Sequence, residues 1–316
     1  MTVETVSGPV ALDDLGRTLM HEHVFVMNPE ALQNWGHVYG PLYWDERERV
    51  DDAIAKLTRV REAGIRTIVD PTAPGLGRYV PRVREVAQAA GLQFIVASGV
   101  YAFLELPGFL AYRPTSAIAS LFVREITEGI DDTGVKAAFL KCAVERHGVI
   151  GDVPRILEAV AIAATETGVP VMVHTNAAEQ TGLLALEKLT SHGVDPRQIV
   201  IAHAGDSNDL DYLRAIAATG AWLGCDRFGI EHFNPLEDRI RILIALLGEG
   251  YGDRIHLSHD AACFMDFMTG DPFFADERPD YLLISNRVVP ALLDSGVTQE
   301  EIDQMMVENP KRFFGA

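Results

Sequence analysis

At 316 residues, with 48% hydrophobic side chains, the chain can bury a large core. That length admits two average domains or one α/β barrel of the kind that commonly runs past ~250 residues. Its longest apolar stretches, such as 159–164, fall well short of the ~20 residues that span a bilayer, so a soluble protein with no membrane partner is expected. The formal net charge is −18, from 45 acidic and 27 basic residues, which repels nucleic acid and polyanions and favours a neutral or cationic small molecule.

The first residues, Met1 to Pro9, show no basic region followed by an apolar core, and a cytoplasmic location is expected. Two short alternating segments, Thr2–Ser7 and Val10–Leu15, predict a hairpin about Gly8-Pro9. A strand–helix rhythm then repeats eight times. The strands are expected at Thr18–His23, Thr67–Asp70, Phe94–Gly99, Ala137–Lys141, Val171–His174, Ile199–His203, Ala221–Cys225 and Ile255–Ser258. Amphipathic segments lie between them, for example Glu46–Ala63, Val153–Thr167 and Asn208–Ala218, with glycine stops at Gly64, Gly168 and Gly220. Eight such units predict a single (β/α)8 barrel over residues 1–316. Three scattered cysteines, Cys142, Cys225 and Cys263, fit reduced thiols better than a disulfide framework.

The ends of these strands carry the chemistry. His21, His23, His174, His203 and Asp260 each fall at or just past the end of an apolar run, and Lys141 lies within another. In a barrel, that end is the C-terminal mouth, where active sites sit. Residues two apart on a strand share a face, so His21 and His23 can chelate one ion while Glu22 faces away. Imidazole with carboxylate suits Zn, Co, Mn or Fe and excludes a calcium cage. A lone strand histidine is more often a hydrogen-bonded core residue; the joint placement of these five residues on four strands is what points to metal. Lys141 would be a buried amine with a lowered pKa. It is either paired with Asp260 or another carboxylate, or takes up carbon dioxide to become a bridging carbamate. Asp70, Tyr101 and Asp226-Arg227 also follow strand ends.

Nearly end to end, the sequence resembles the phosphotriesterase-like lactonases of the amidohydrolase superfamily. The resemblance rests on the segments at 18–24 (TLMHEHV), 67–72 (TIVDPT), 75–78 (GLGR), 99–101 (GVY), 140–142 (LKC), 203–206 (HAGD), 225–229 (CDRFG), 257–260 (LSHD) and 308–314 (ENPKRFF). It implies two divalent metals, with His21, His23 and Asp260 on the more buried one and His174 and His203 on the more exposed one. A carboxylated Lys141 (N6-carboxylysine) would bridge the pair, and Asp260 would accept and return the reaction's proton.

The resemblance also bears on substrate. A tyrosine at position 101 is what the family's lactonases carry, whereas dedicated organophosphate hydrolases carry tryptophan there; the alternative is an aromatic that only packs the mouth. Arg227 matches an arginine that shapes the pocket entrance, or else makes a salt bridge with Asp226 or another mouth carboxylate. The segment after the eighth strand, 261–270 and on through Phe273-Phe274, is rich in Met and Phe, and Cys263, Phe264, Met265 and Phe267 are expected to line an acyl slot or a dimer contact. Phe267 stands where several relatives carry tryptophan, and Ala261 and Ala262 replace bulkier residues, a departure that bears on chain-length preference. The expected activity is a lactonase on N-acyl-homoserine lactones and other lactones, serving quorum quenching, with weak phosphotriesterase activity and, by the resemblance, a homodimer. The runner-up is a dedicated organophosphate triester (aryldialkylphosphatase) or aryl ester hydrolase. A barrel that had lost catalysis would lack a ligand, and all six positions are filled.

Overall fold

The computed structural model describes residues 1–39, 44–266 and 280–316. A hairpin, β1 (Thr2–Thr5) and β2 (Gly8–Ala11), precedes β3 (Thr18–Leu19), β4 (His23–Val26), α1 (Pro29–Tyr39), α2 (Glu46–Glu62), β5 (Thr67–Asp70), α3 (Val80–Ala90) and β6 (Gln93–Gly99). There follow α4 (Gly108–Ala111), α5 (Thr115–Thr127), β7 (Phe139–Val144), α6 (Val153–Thr167), β8 (Val171–Thr175), α7 (Thr181–Ser191), β9 (Ile199–Ala202), α8 (Leu210–Ala218) and β10 (Trp222–Cys225). The chain continues through α9 (Leu236–Gly248), β11 (Ile255–Leu257), β12 (Ala262–Met265), α10 (Val289–Asp294), α11 (Gln299–Asp303) and α12 (Asn309–Phe314).

The strands form one parallel sheet in the order β11-β10-β9-β8-β7-β6-β5-β3. Its two ends meet at a seam, where Met20 N donates to Leu257 O (3.4 Å), Asp260 N to His21 O (3.1 Å) and His23 N to Ala261 O (2.8 Å), and β12 continues the pairing with β4. The result is a (β/α)8 barrel with strands buried on both faces, which is why they read as continuous apolar runs. Asp45 and Asp209 cap α2 and α8, and α6 ends on Gly168 in the left-handed conformation. Among the described residues, no helix is long and apolar enough to cross a membrane.

Two expectations change. The hairpin turns at Val6-Ser7, because Thr5 Oγ1 donates to Gly8 O (2.6 Å) and accepts from Ser7 N (3.2 Å); Gly8-Pro9 opens the second strand, with Pro9 opposite Glu4. Proline is tolerated there because a two-stranded ribbon leaves half its donors unpaired. The first barrel strand is also interrupted. Between β3 and β4, Met20 bonds to β11 while Glu22 N reaches Val69 O on β5 (3.0 Å), so the segment alternates partners across the seam.

The barrel interior is a distinct apolar cluster that includes Met20, Val69, Ala97, Phe139, Met172, Val200 and Trp222; Val3, Leu12, Leu15 and Phe313 close it from the hairpin and α12. One step up the same strand faces, two residues on, come Lys141 above Phe139 and His174 above Met172. The packed layer thus serves as the floor of the site.

Candidate metal centre

Asp260 sits at the focus of three imidazoles. Its Oδ1 lies 3.4 Å from His21 Nε2 and 3.3 Å from His23 Nε2, and its Oδ2 lies 3.9 Å from His203 Nε2. The far nitrogen of each ring is committed elsewhere. Asp226 accepts from His21 Nδ1 through one oxygen and from His203 Nδ1 through the other, both at 2.9 Å. Thr72 Oγ1 accepts from His23 Nδ1 (2.7 Å) and donates its own proton to Asp70. Nε2 is therefore the nitrogen each ring turns to the cleft, and when deprotonated it is a ligand.

His174 arrives with the opposite edge. Glu145 Oε1 lies 3.2 Å from its Nε2, which turns Nδ1 inward to 2.9 Å from His203 Nε2. With the His203 Nδ1 proton given to Asp226 and the His174 Nε2 proton to Glu145, two lone pairs face one another at contact distance. In another tautomer one ring would donate a hydrogen bond to the other across this distance, and a metal ion could take that proton's place. His203 and Asp260 both hold left-handed backbone, with φ of 68° and 55°. Strain at two ligand positions is typical of sites where the surrounding structure dictates geometry. At Asp260 the surroundings include Glu22, which is fully buried and accepts from Ser258 Oγ (2.8 Å), His259 N (2.9 Å), His259 Nδ1 (2.6 Å) and Ala261 N (2.8 Å).

Lys141 reaches the floor of the same cleft. It is 1% exposed and its Nζ has no hydrogen-bond partner among the described residues, so the direct pairing with Asp260 is not formed. Burial lowers its pKa to about 8. Burial and the Lys141 charge lower His21 to about 4, whereas for His23 the hydrogen bonds to Asp260 and Asp70 outweigh burial and raise it to about 9. Burial opposes ionisation of Asp260 too, yet His21 and Arg227 hold its carboxyl well below the usual range. Burial lowers His174 and His203 as well, so His23 is the one imidazole of these four whose pKa is raised. His21, His23 and Asp260 each place one ligand atom within 4.8 Å of the others, as do His21, His203 and Asp226. An oxygen and nitrogen donor set, a pair of opposed lone pairs and an unpartnered buried amine fit transition-metal ions.

Around these groups lies a cleft of about 100 Å³ lined by Val26, Leu76, Tyr101, Arg227 and Met265 as well as the metal-type residues. Arg227 donates from Nε to Asp260 Oδ2 (2.9 Å) and from Nη1 to Asp206 Oδ2 (3.1 Å), and stacks 4.6 Å over Phe233. Its salt bridge is therefore with Asp260 and Asp206, not with Asp226, while it still walls the cleft. The Tyr101 hydroxyl donates to Glu145 Oε1 (3.0 Å), and its ring meets His174 edge-on at 5.2 Å.

Of the three described residues expected to hold an acyl chain, Met265 lines this cleft and Cys263 and Phe264 do not. Cys263 Sγ lies 3.3 Å from Tyr281 Oη and lines a separate cavity with Lys56 and Val60 of α2; Phe264 packs on Trp44 at 5.1 Å. The correction has a physical reason: 262–265 is not loop but strand β12, buried against α2 and paired with β4. Phe267 and the 268–274 stretch lie outside the described residues. Sequence reasoning did not assign Glu145, Thr72 or the Glu22–His259 pair to the site. It noted Asp70 only as a strand-end polar group, and Asp226 as that and as an alternative salt-bridge partner of Arg227.

A barrel with a nitrogen and oxygen donor cluster at the C-terminal ends of its strands has the architecture of a metal-dependent enzyme. A profile of the phosphotriesterase family matches residues 1–314. The chain is 42% identical to the phosphotriesterase homology protein of Mycobacterium tuberculosis, over 99% of this chain and 97% of that one. It is 38% identical to the aryldialkylphosphatase of Saccharolobus solfataricus, over 95% of each. The solved structure of the phosphotriesterase from Mycobacterium tuberculosis superposes with a TM-score of 0.94, covering 99% of this chain and 98% of that one. The chain belongs to the phosphotriesterase family, and its reaction is hydrolysis of ester or phosphoester bonds.

Proposed function

We propose that this hydrolase is a lactonase that opens N-acyl-homoserine lactones and related lactones, and so quenches quorum signals, with phosphotriester hydrolysis as a side activity. The observation that carries the reading is Tyr101, whose hydroxyl lies at the cleft beside His174 where a small carbonyl-bearing ring would enter. A cleft of about 100 Å³ is below the ~300 Å³ of ordinary ligand pockets, which suits a compact reacting head with the rest of the substrate outside.

Two divalent ions held by His21, His23, Asp260, His174 and His203 would polarise the scissile carbonyl and lower the pKa of water. A carbamate at Lys141 would join them: Nζ bonds the carbon of carbon dioxide and loses a proton, leaving an anion where a free ammonium would be unpartnered. The chain's own residues supply the rest. Asp260 takes the proton of the attacking water and returns it to the leaving alkoxide, and the Arg227 guanidinium at 2.9 Å keeps its Oδ2 oriented. Val26, Leu76 and Met265 restrict access of bulk water. The Tyr101 hydroxyl positions the lactone.

The printed name of the Saccharolobus relative, aryldialkylphosphatase, supports the second reading, a dedicated phosphotriesterase. Catalytic efficiencies of the metal-loaded protein on short-chain lactones, long-chain lactones and paraoxon separate the two. Lactones are expected to lead by orders of magnitude, and Tyr101→Phe to lose roughly 10-fold on lactones, ~1.4 kcal/mol, with paraoxon little changed. Paraoxon turnover equal to or above that of lactones would favour the second reading.

A further inference from the structure

Each histidine of the centre has an anchor for its outer nitrogen, and the anchors differ. Those of His21, His203 and His23 are buried: Asp226 is 2% exposed, as is Asp70 behind Thr72. The anchor of His174 is Glu145, whose side chain is 37% exposed on the last turn out of β7. One oxygen, Oε1, serves two groups there, with Tyr101 Oη at 3.0 Å and His174 Nε2 at 3.2 Å. The Tyr101 hydroxyl in turn lies 3.3 Å from the His174 ring nitrogens, closing a triangle.

We propose that Glu145 is a positioning residue that sets the His174 tautomer for the outer metal and, through the same oxygen, holds the hydroxyl of Tyr101 at the cleft. The inference rests on the metal-centre reading above but not on the choice of substrate. A carboxylate on Nε2 keeps the proton there and leaves Nδ1 bare toward His203, the only edge from which His174 can share an ion with it. Because Oε1 takes both donors, metal affinity and the orientation of the phenol are coupled: removing the anchor frees the imidazole to rotate or change tautomer and releases the tyrosine at once. A phenol without that acceptor turns its proton elsewhere, and the ring loses one side of its socket. The inner ligands keep their own buried carboxylates, so the effect belongs to one of two ions.

The test is chelator competition on the cobalt-loaded full-length protein, following cobalt absorbance, for wild type, Glu145→Ala and Glu145→Gln. In Glu145→Ala one ion of the two is expected to leave at roughly 10- to 100-fold lower chelator concentration while the other is unchanged. Glu145→Gln, whose amide oxygen still accepts, is expected to fall between the two. Tyr101→Phe combined with Glu145→Ala is expected to cost less in kcat/KM, on whichever ester or phosphoester the wild type hydrolyses best, than the two single losses multiplied, because the pair shares an oxygen. The proposal is overturned if Glu145→Ala releases both ions as wild type does, or loosens both equally. Wild type that binds no cobalt would instead remove the metal-centre reading itself.

Discussion

An ammonium at Lys141 is the least comfortable group in the metal-free protein: buried, unpartnered, and with its pKa lowered by burial to about 8 against an ordinary 10.5. Between those values the unfolded chain holds a proton that the folded chain has lost, so stability rises with pH across that window and carries the whole penalty below it. The penalty at neutral pH is about 3 kcal/mol. Lys141→Met, similar in volume, is expected to abolish hydrolysis yet make the metal-free protein more stable at pH 7, with the advantage gone by about pH 10.5. Urea unfolding of both proteins at the two pH values measures it; a variant no more stable at pH 7 would contradict the account. The cluster itself was legible in the sequence because chance rarely sets metal-type residues at the ends of so many strands. Glu145 was not, since a half-exposed glutamate four residues past Lys141 looks like any solvated loop charge until Tyr101 and His174 are seen around it.

At the scale of elements, the site depends on how closely two strands approach. Gly224 in β10 lies under Asp226, and a Cβ there would stand 2.7 Å from Asp226 Oδ2, 2.8 Å from Ala202 Cα and 2.9 Å from Ile201 O. Backbone on the β9 side cannot yield, so Gly224→Ala is expected to push Asp226 off His21 and His203 and to destabilise by roughly 1–3 kcal/mol. Thermal unfolding and metal stoichiometry read the two effects; wild-type values for both would show that the strands part more easily than this contact implies. Most barrel strands could be placed from their apolar runs, Thr67–Asp70 to the residue, and α6 at both ends. The eighth strand's aftermath could not. Met and Phe in 261–265 suggested a lining loop, but pairing with β4 and burial against α2 took Cys263 and Phe264 out of the cleft. Periodicity over four residues does not say which neighbour a segment will meet.

For the molecule as a whole, the donor set spans the barrel. His21 and His23 belong to the first strand region, His174 and His203 to β8 and the end of β9, and Asp260 to the turn after β11, across the closing seam. Ions bound there tie the first and last strands together, so metal should stabilise the fold in proportion to the logarithm of its concentration over its Kd, about 2.7 kcal/mol at a hundredfold excess. Differential scanning calorimetry with and without chelator is expected to show a lower Tm and a less cooperative transition for the stripped protein. An unchanged Tm would mean that the hydrogen bonds of the seam suffice without a cation.

The position of the seam also orders events in time. Synthesis delivers His21 and His23 early, with their carboxylate partner Asp260 still more than two hundred residues from emerging, and domains assemble as the chain appears. No partial chain short of residue 260 holds the complete donor set. The full cluster exists only once the barrel has closed. Metal bound by all of these residues at once would therefore report that the ring of strands is complete.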